Sequence, residues 1–234
     1  MFFLRKQMYL CEDALLKKED LYYKLLSLFH MGSILIGMAL TSRIVSLTLP
    51  NISHTLYITG GIFFIPIVFF IQDIVTEIFG YDNARVMLNT NILVFIIYVL
   101  ILVVLLVSIN NINNSYENFY SVVNTLPRHA LSFVLSLYVG GRINNYVLSK
   151  MKLHFNQKFL AFRFISSTAI GEAFFQFIAV FISWYGSFTS QDMFLIAFIS
   201  YTYKILFEIL ATPFNIWICN YLKSLKLERV QNVL

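Results

Sequence analysis

Charge is scarce in this chain: Asp, Glu, Lys and Arg together make up 12% of its 234 residues, well below the share of an ordinary soluble domain. With 59% hydrophobic residues and a mean hydropathy of +0.73, the sequence lacks the polar surface that a water-soluble fold needs. Cysteine is nearly absent. Cys11 and Cys219 show no pairing pattern and no Cys/His cluster spaced for a metal, which argues against a disulfide framework and against a zinc site. Four prolines and nine glycines form no Pro/Ser/Gly linker, so the chain reads as one domain. The opening residues carry Glu12, Asp13, Glu19 and Asp20 among lysines, without an apolar core and small-residue cleavage site. They do not read as a signal peptide; a cytoplasmic surface helix or a loose tail is expected.

What the chain has in abundance is long apolar sequence. Six windows are long enough to span a bilayer at roughly 20 residues each. They fall near Leu25 to Leu49, Tyr57 to Phe79, Val86 to Ile109, Val122 to Leu148, Phe162 to Trp184 and Phe194 to Leu222. A barrel would require short alternating segments, and the almost unbroken Ile, Leu and Val of Leu93 to Val107 has no such period. The expected fold is an all-α integral membrane protein, a compact bundle of six transmembrane helices.

The basic residues set the orientation. Arg5, Lys6, Lys17, Lys18 and Lys24 precede the first span, Arg85 follows the second, Lys150, Lys152, Lys158 and Arg163 follow the fourth, and Lys223, Lys226 and Arg229 close the chain. The alternate loops, Asn51 to Leu56, Asn110 to Ser121 and Tyr185 to Asp192, contain no Lys or Arg. Both termini are therefore expected in the cytoplasm, with residues 1–24 as an N-terminal segment, 25–222 as the six-helix domain and 223–234 as a C-terminal tail. The net charge of +5 is largely this orientation signal, so it does not point to nucleic acid.

Eight ionisable side chains fall inside or at the edge of the spans: Arg43, Asp73, Glu77, Arg128, Arg142, Glu172, Lys204 and Glu208. A charge near the bilayer centre costs about 2.5 to 3.5 kcal/mol on insertion scales, so each must pair, line a cavity or bind something. Asp73 and Glu77 share a helix face at i, i+4, either as a functional pair or anchored by Arg85 or Arg142 near the interface. In the fourth span, Pro127 and Gly140-Gly141 permit backbone to face a cavity or a neighbour closely. Arg128 is placed to snorkel, and His129 reads as an interfacial or packed histidine. Glu172, with Gln176 one turn on, has no basic residue on its own helix within the membrane and is the leading ligand-binding carboxylate. Lys204 and Glu208, at i, i+4, form a pair able to neutralise itself within one helix. Phenylalanines, among them Phe69, Phe70, Phe174, Phe175, Phe177 and Phe181, offer a stacking platform for a flat heterocycle. The second helix of each three-helix half carries paired polar positions, Asp73/Glu77 and Glu172/Gln176, a weak sign of inverted repeats.

Four segments occur together in order: Phe70-Ile71-Gln72-Asp73-Ile74-Val75-Thr76-Glu77-Ile78-Phe79-Gly80 with Ala84-Arg85, Pro127-Arg128 with the helix through Lys150, Gly171-Glu172, and Lys204-Ile205-Leu206-Phe207-Glu208 through Pro213. From about Leu25 onward the chain resembles the queuosine precursor transporter family, six-helix proteins that import 7-deazaguanine compounds. The resemblance implies an importer in the inner (plasma) membrane, not an enzyme, with no cofactor and no bound metal. Its implied substrate is preQ0, preQ1 or queuine, destined for tRNA modification. Substrate-binding residues on this view are Glu172, Gln176, Asp73, Glu77, Arg128, Lys204, Glu208 and Asn144. The family commonly carries an aspartate where this chain has Asn144 and another where it has Gln176, and the loss bears on proton coupling and on which precursor is carried.

The chemistry is compatible. A 7-deazaguanine presents N1–H and a 2-amino group on one edge, two donors that a carboxylate accepts in bidentate fashion. The implied partners are this small molecule and the lipid bilayer, with no nucleic acid; a homodimer is left open. Three other readings are weighed: a substrate-binding component of a vitamin uptake complex, an intramembrane enzyme, and a purely structural membrane subunit, which leaves the central Glu172 unexplained. The second lacks a Gly-x-Ser-x-Gly elbow, a His-Glu-x-x-His motif or any comparable constellation.

Overall fold

The computed structural model describes the backbone of residues 2–41, 44–47, 56–109 and 117–233, and the side chains of 19–41, 59–105 and 126–225. The helices are α1 (Phe2–Thr41), α2 (Ile65–Phe79), α3 (Tyr81–Ile109), α4 (Glu117–His154), α5 (Leu160–Trp184) and α6 (Ser190–Val233). Between α1 and α2 lie β1 (Ile44–Leu47), β2 (Leu56–Thr59) and a 3-10 turn, Gly60–Phe63. Arg43, the 48–55 and 110–116 segments, and the side chains of the two tails, Cys11 among them, lie outside the described residues.

Two expected spans are corrected by the hairpin. The helix of the first span stops at Thr41 rather than Leu49, and Leu56–Thr59, where the second was to begin, are strand. β1 and β2 pair antiparallel, Ile44 opposite Thr59 and Leu47 opposite Leu56. Ile44, Val45, Tyr57, Ile58 and Thr59 are β-branched or aromatic, and such residues favour a strand; hydropathy alone does not separate the two states in a short apolar run. The bundle itself is helical, as expected.

Among the described residues, five segments are long and apolar enough to cross a bilayer: Glu19–Thr41, Gly60–Phe79, Tyr81–Leu105, Leu160–Trp184 and Ser190–Leu225. The fourth expected span is not among them, because α4 carries Arg128, His129, Arg142, Asn144 and Asn145 within its apolar stretch. α4 is nonetheless continuous through Pro127 and the glycine pair, and packs on α2, α3 and α5. α1 and α6, at 40 and 44 residues, run well beyond a bilayer's hydrocarbon thickness, so the N-terminal segment continues the helix of the first span instead of forming a separate surface helix.

α2 is buried on all faces, packed by α1, α3, α4 and α6. Its 15 residues begin at Ile65-Pro66, where proline's fixed backbone and missing donor suit a first turn, and end at Gly80, whose φ of 88° turns the chain into α3. α3 behaves oppositely: Leu93, Val94, Ile97, Leu100, Ile101, Val104 and Leu105 form an exposed apolar stripe at helical spacing, suited to lipid. α4 and α5 cross at glycines. A Cβ on Gly140 would sit 2.7 Å from the Gly171 carbonyl oxygen, and one on Gly171 2.8 Å from Asn144 Cβ. This contact brings the polar faces of the two helices together around α2.

Candidate functional site

α2, α4, α5 and α6 stack their polar side chains in levels, from the hairpin end to the end bearing most of the loop lysines and arginines. Nearest the hairpin, a cavity of about 60 Å³ lies between α4, α5, α6 and the 3-10 turn. Its polar lining is Thr41, Thr59, His129, Ser132, Gln176, Ser183, Ser200 and Lys204; Phe133, Phe175 and Trp184 supply aromatic walls. Ser183 and Ser132 share a hydrogen bond of 2.9 Å, and Ser132 Oγ donates to the Ala179 carbonyl at 2.8 Å. His129 is buried and rests against Trp184, ring centroids 4.9 Å apart, with Nδ1 unpartnered.

One level on, Lys204 Nζ on α6 donates to Glu172 Oε2 on α5 at 2.7 Å; the two side chains are 3% and 0% exposed. The same ammonium stands 4.1 Å from the centroid of the Phe175 ring, a cation–π contact. Glu208, four residues along α6, is buried with Oε1 accepting no hydrogen bond. Asp73 on α2 accepts from Asn144 Nδ2 at 2.7 Å and from Thr168 Oγ1 at 3.0 Å, which ties α2 to α4 and α5 through neutral donors. Beside it Thr76 Oγ1 donates to Asn145 Oδ1 at 3.2 Å.

The last level is ionic. Glu77 receives Arg163 at 2.8 Å on one oxygen and Lys223 at 2.5 Å on the other, with Lys152 at 3.7 Å. Arg163 is fully buried and also donates to the carbonyls of Lys158 and Gln157, closing the α4–α5 turn, where Asn156, Gln157 and Phe159 adopt positive φ. Lys152 donates to the Glu77 carbonyl at 2.5 Å. Burial holds its ammonium below the ordinary lysine value, and the Glu77 carboxylate acts in the opposite direction. The cluster ties together α2, α4, α5 and α6.

A family model described as "Putative vitamin uptake transporter" (Vut_1) matches residues 59–218, more than half of the chain. The chain belongs to the vitamin uptake transporter family. The match is consistent with the queuosine precursor transporter motifs and takes in all eight candidate residues. No curated protein and no solved structure matches the chain. A transporter family together with several helices able to span a bilayer makes this a multi-pass membrane protein.

Within this vitamin uptake transporter the candidate residues divide into three groups. Gln176 and Lys204 line the cavity; Glu172, Glu208, Asp73 and Asn144 are buried at the two adjoining turns; Glu77 and Arg128 lie apart. Arg128 donates to the backbone carbonyls of Ile182, at 2.9 Å, and Tyr185, so this exposed guanidinium caps the end of α5. Neither Arg85 nor Arg142 anchors Asp73 or Glu77: Arg85 is 3.6 Å from Asp82, and Arg142 donates to Asn89 at 3.3 Å. Lys204 does not pair with Glu208, because the carboxylate across the interface captures it. His129, read as an interfacial or packed histidine, belongs to the cavity wall. Of the phenylalanines singled out, Phe175 borders the cavity, whereas Phe174 and Phe177 face outward. Sequence reasoning missed Ser132, Ser183 and Thr168, which carry no signal that separates them from ordinary helix serines and threonines.

Proposed function

We propose that the protein imports a queuosine precursor, preQ0, preQ1 or queuine, across the inner (plasma) membrane, with both termini in the cytoplasm. The observation that carries the reading is the polar cavity against Phe175, with Gln176 and Lys204 in its wall and Glu172 directly behind Lys204. A flat heterocycle stacks on an aromatic face, and Glu172 accepts N1–H and the 2-amino group. At about 60 Å³ the cavity has room for a few waters but not for a bicyclic base, as befits a closed state between outward and inward openings. The Glu77 cluster closes the cytoplasmic end in this state, and Arg128 fastens α4 to the end of α5 on the outer side.

Cells unable to make queuosine precursors, but able to insert a supplied one into tRNA, test the proposal. On expression of this protein they gain queuosine-modified tRNA at low external precursor. Modification no better than with an empty vector, for each of the three compounds and with membrane insertion verified, refutes it. The family's description as vitamin uptake transporters keeps a second reading in view, a substrate-binding membrane component of a larger uptake complex. Co-purification of an ATPase module distinguishes the two.

A further inference from the structure

Lys204 has two acidic neighbours and a bond to one of them. Its Nζ lies 2.7 Å from Glu172 Oε2 on α5, while Glu208, one turn along α6, keeps a buried Oε1 that accepts nothing. An i, i+4 spacing puts Glu208 within reach of the same ammonium, and lysine's flexible stem needs only side-chain rotation to change partner. We propose that Lys204 is a movable counterion and that Glu208 is its second seat, occupied when the ligand's donors take Glu172. The inference rests on the reading of the cavity as the 7-deazaguanine site.

The order of the groups requires such a move. Lys204 lines the cavity and Glu172 does not, so the ammonium stands between an arriving base and the carboxylate that reads it. Displacing a buried ammonium with nowhere to go strands a charge in a low dielectric, a severe cost. Glu208 removes that cost. The other acids near this level are already engaged: Asp73 by Asn144 and Thr168, Glu77 by Arg163, Lys223 and Lys152.

Two consequences follow for transport. The swing takes Lys204 off the face of Phe175, 4.1 Å below it, and opens that ring to a flat ligand. It also replaces the ion pair between α5 and α6 with one internal to α6, so that ligand arrival removes the ionic tie between the two helices beside the cavity. Glu208 thereby acts as a positioning residue, through Lys204.

Thermal unfolding of purified protein without ligand tests the switch on its own. Glu172→Gln sends the ammonium to Glu208, and Glu208→Gln leaves the resting pair in place, so each single change lowers the melting temperature modestly. The double change leaves Lys204 no carboxylate and lowers it by far more than the two together. Glu172→Gln as damaging as the double variant overturns the proposal. Binding of preQ0, preQ1 and queuine gives the second measurement: Glu208→Gln loses about tenfold in affinity or more, and Glu208→Asp recovers part of it. Wild-type affinity in Glu208→Gln overturns the switch. Absence of binding by the wild-type protein itself refutes the substrate reading, and the melting series then decides the switch alone.

Discussion

Lys204 reaches across a helix interface to Glu172, at 2.7 Å, in preference to Glu208 on its own helix. Lys204 is the cation at the centre of a level that holds three buried carboxylates, Asp73, Glu172 and Glu208. Lys204→Met strands Glu172 and is expected to cost about 3 to 5 kcal/mol of stability, the range for breaking a buried pair from one side. Adding Glu172→Leu restores part of that loss. Denaturant unfolding in detergent checks it; equal stability of Lys204→Met and wild type contradicts the pairing.

At the ionic end, stability effects should follow burial rather than charge count. Glu77→Gln leaves the fully buried Arg163 without its carboxylate and costs about 3 kcal/mol or more. Lys223→Ala removes a side chain that is 34% exposed, and its loss is expected to cost no more than about 1 kcal/mol because water screens it. Melting temperatures of the two variants should differ in that order; the reverse order refutes the description of this cluster.

The α4–α5 crossing makes a steric prediction. Gly140→Ala introduces a Cβ 2.7 Å from the Gly171 carbonyl and 2.8 Å from Phe175 Cβ, so overpacking should cost about 1 to 3 kcal/mol. Gly32→Ala on α1, where a Cβ meets nothing within 4 Å, is the control and is expected to be neutral or stabilising by up to about 1 kcal/mol through helix propensity. Unfolding of both variants under one set of conditions separates packing from propensity.

Topology is open to chemical labelling. Gln157 lies in the basic α4–α5 turn, and Asn114 in a connection with no Lys or Arg. Single cysteines at the two positions, in a background lacking Cys11 and Cys219, are expected to label from opposite sides of the membrane. Labelling of both from outside contradicts the six-helix arrangement, in which α4 crosses between them.

Which side chains matter was easier to read from the sequence than which of them meet. Asp73, Glu77, Glu172, Lys204 and Glu208 stand out because ionisable groups in apolar runs are costly, and all five are buried. That Glu172 takes its cation from another helix follows from the lack of a basic residue on its own. The pairing of Lys204 and Glu208 and the anchoring of Asp73 and Glu77 by Arg85 or Arg142 do not hold, because an i, i+4 spacing is visible in sequence, whereas the approach of α5 to α6 depends on the packed bundle. Arg163 counted as a loop residue in the positive-inside pattern, and nothing local marks it as the fully buried partner of Glu77. The hairpin was lost for another reason: Ile44 to Leu47 is as apolar as a helix end, and its strand state is fixed by pairing with Leu56 to Thr59.

The proposed function is passage of a 7-deazaguanine through this cavity and across a membrane. Its most direct test is uptake of labelled preQ0, preQ1 and queuine by proteoliposomes of the purified protein, beside liposomes without protein. Saturable uptake of at least one compound, competed by the same compound unlabelled and reduced about tenfold or more by Glu172→Gln at matched reconstitution, is the expected result. Uptake of all three at the protein-free rate contradicts the account.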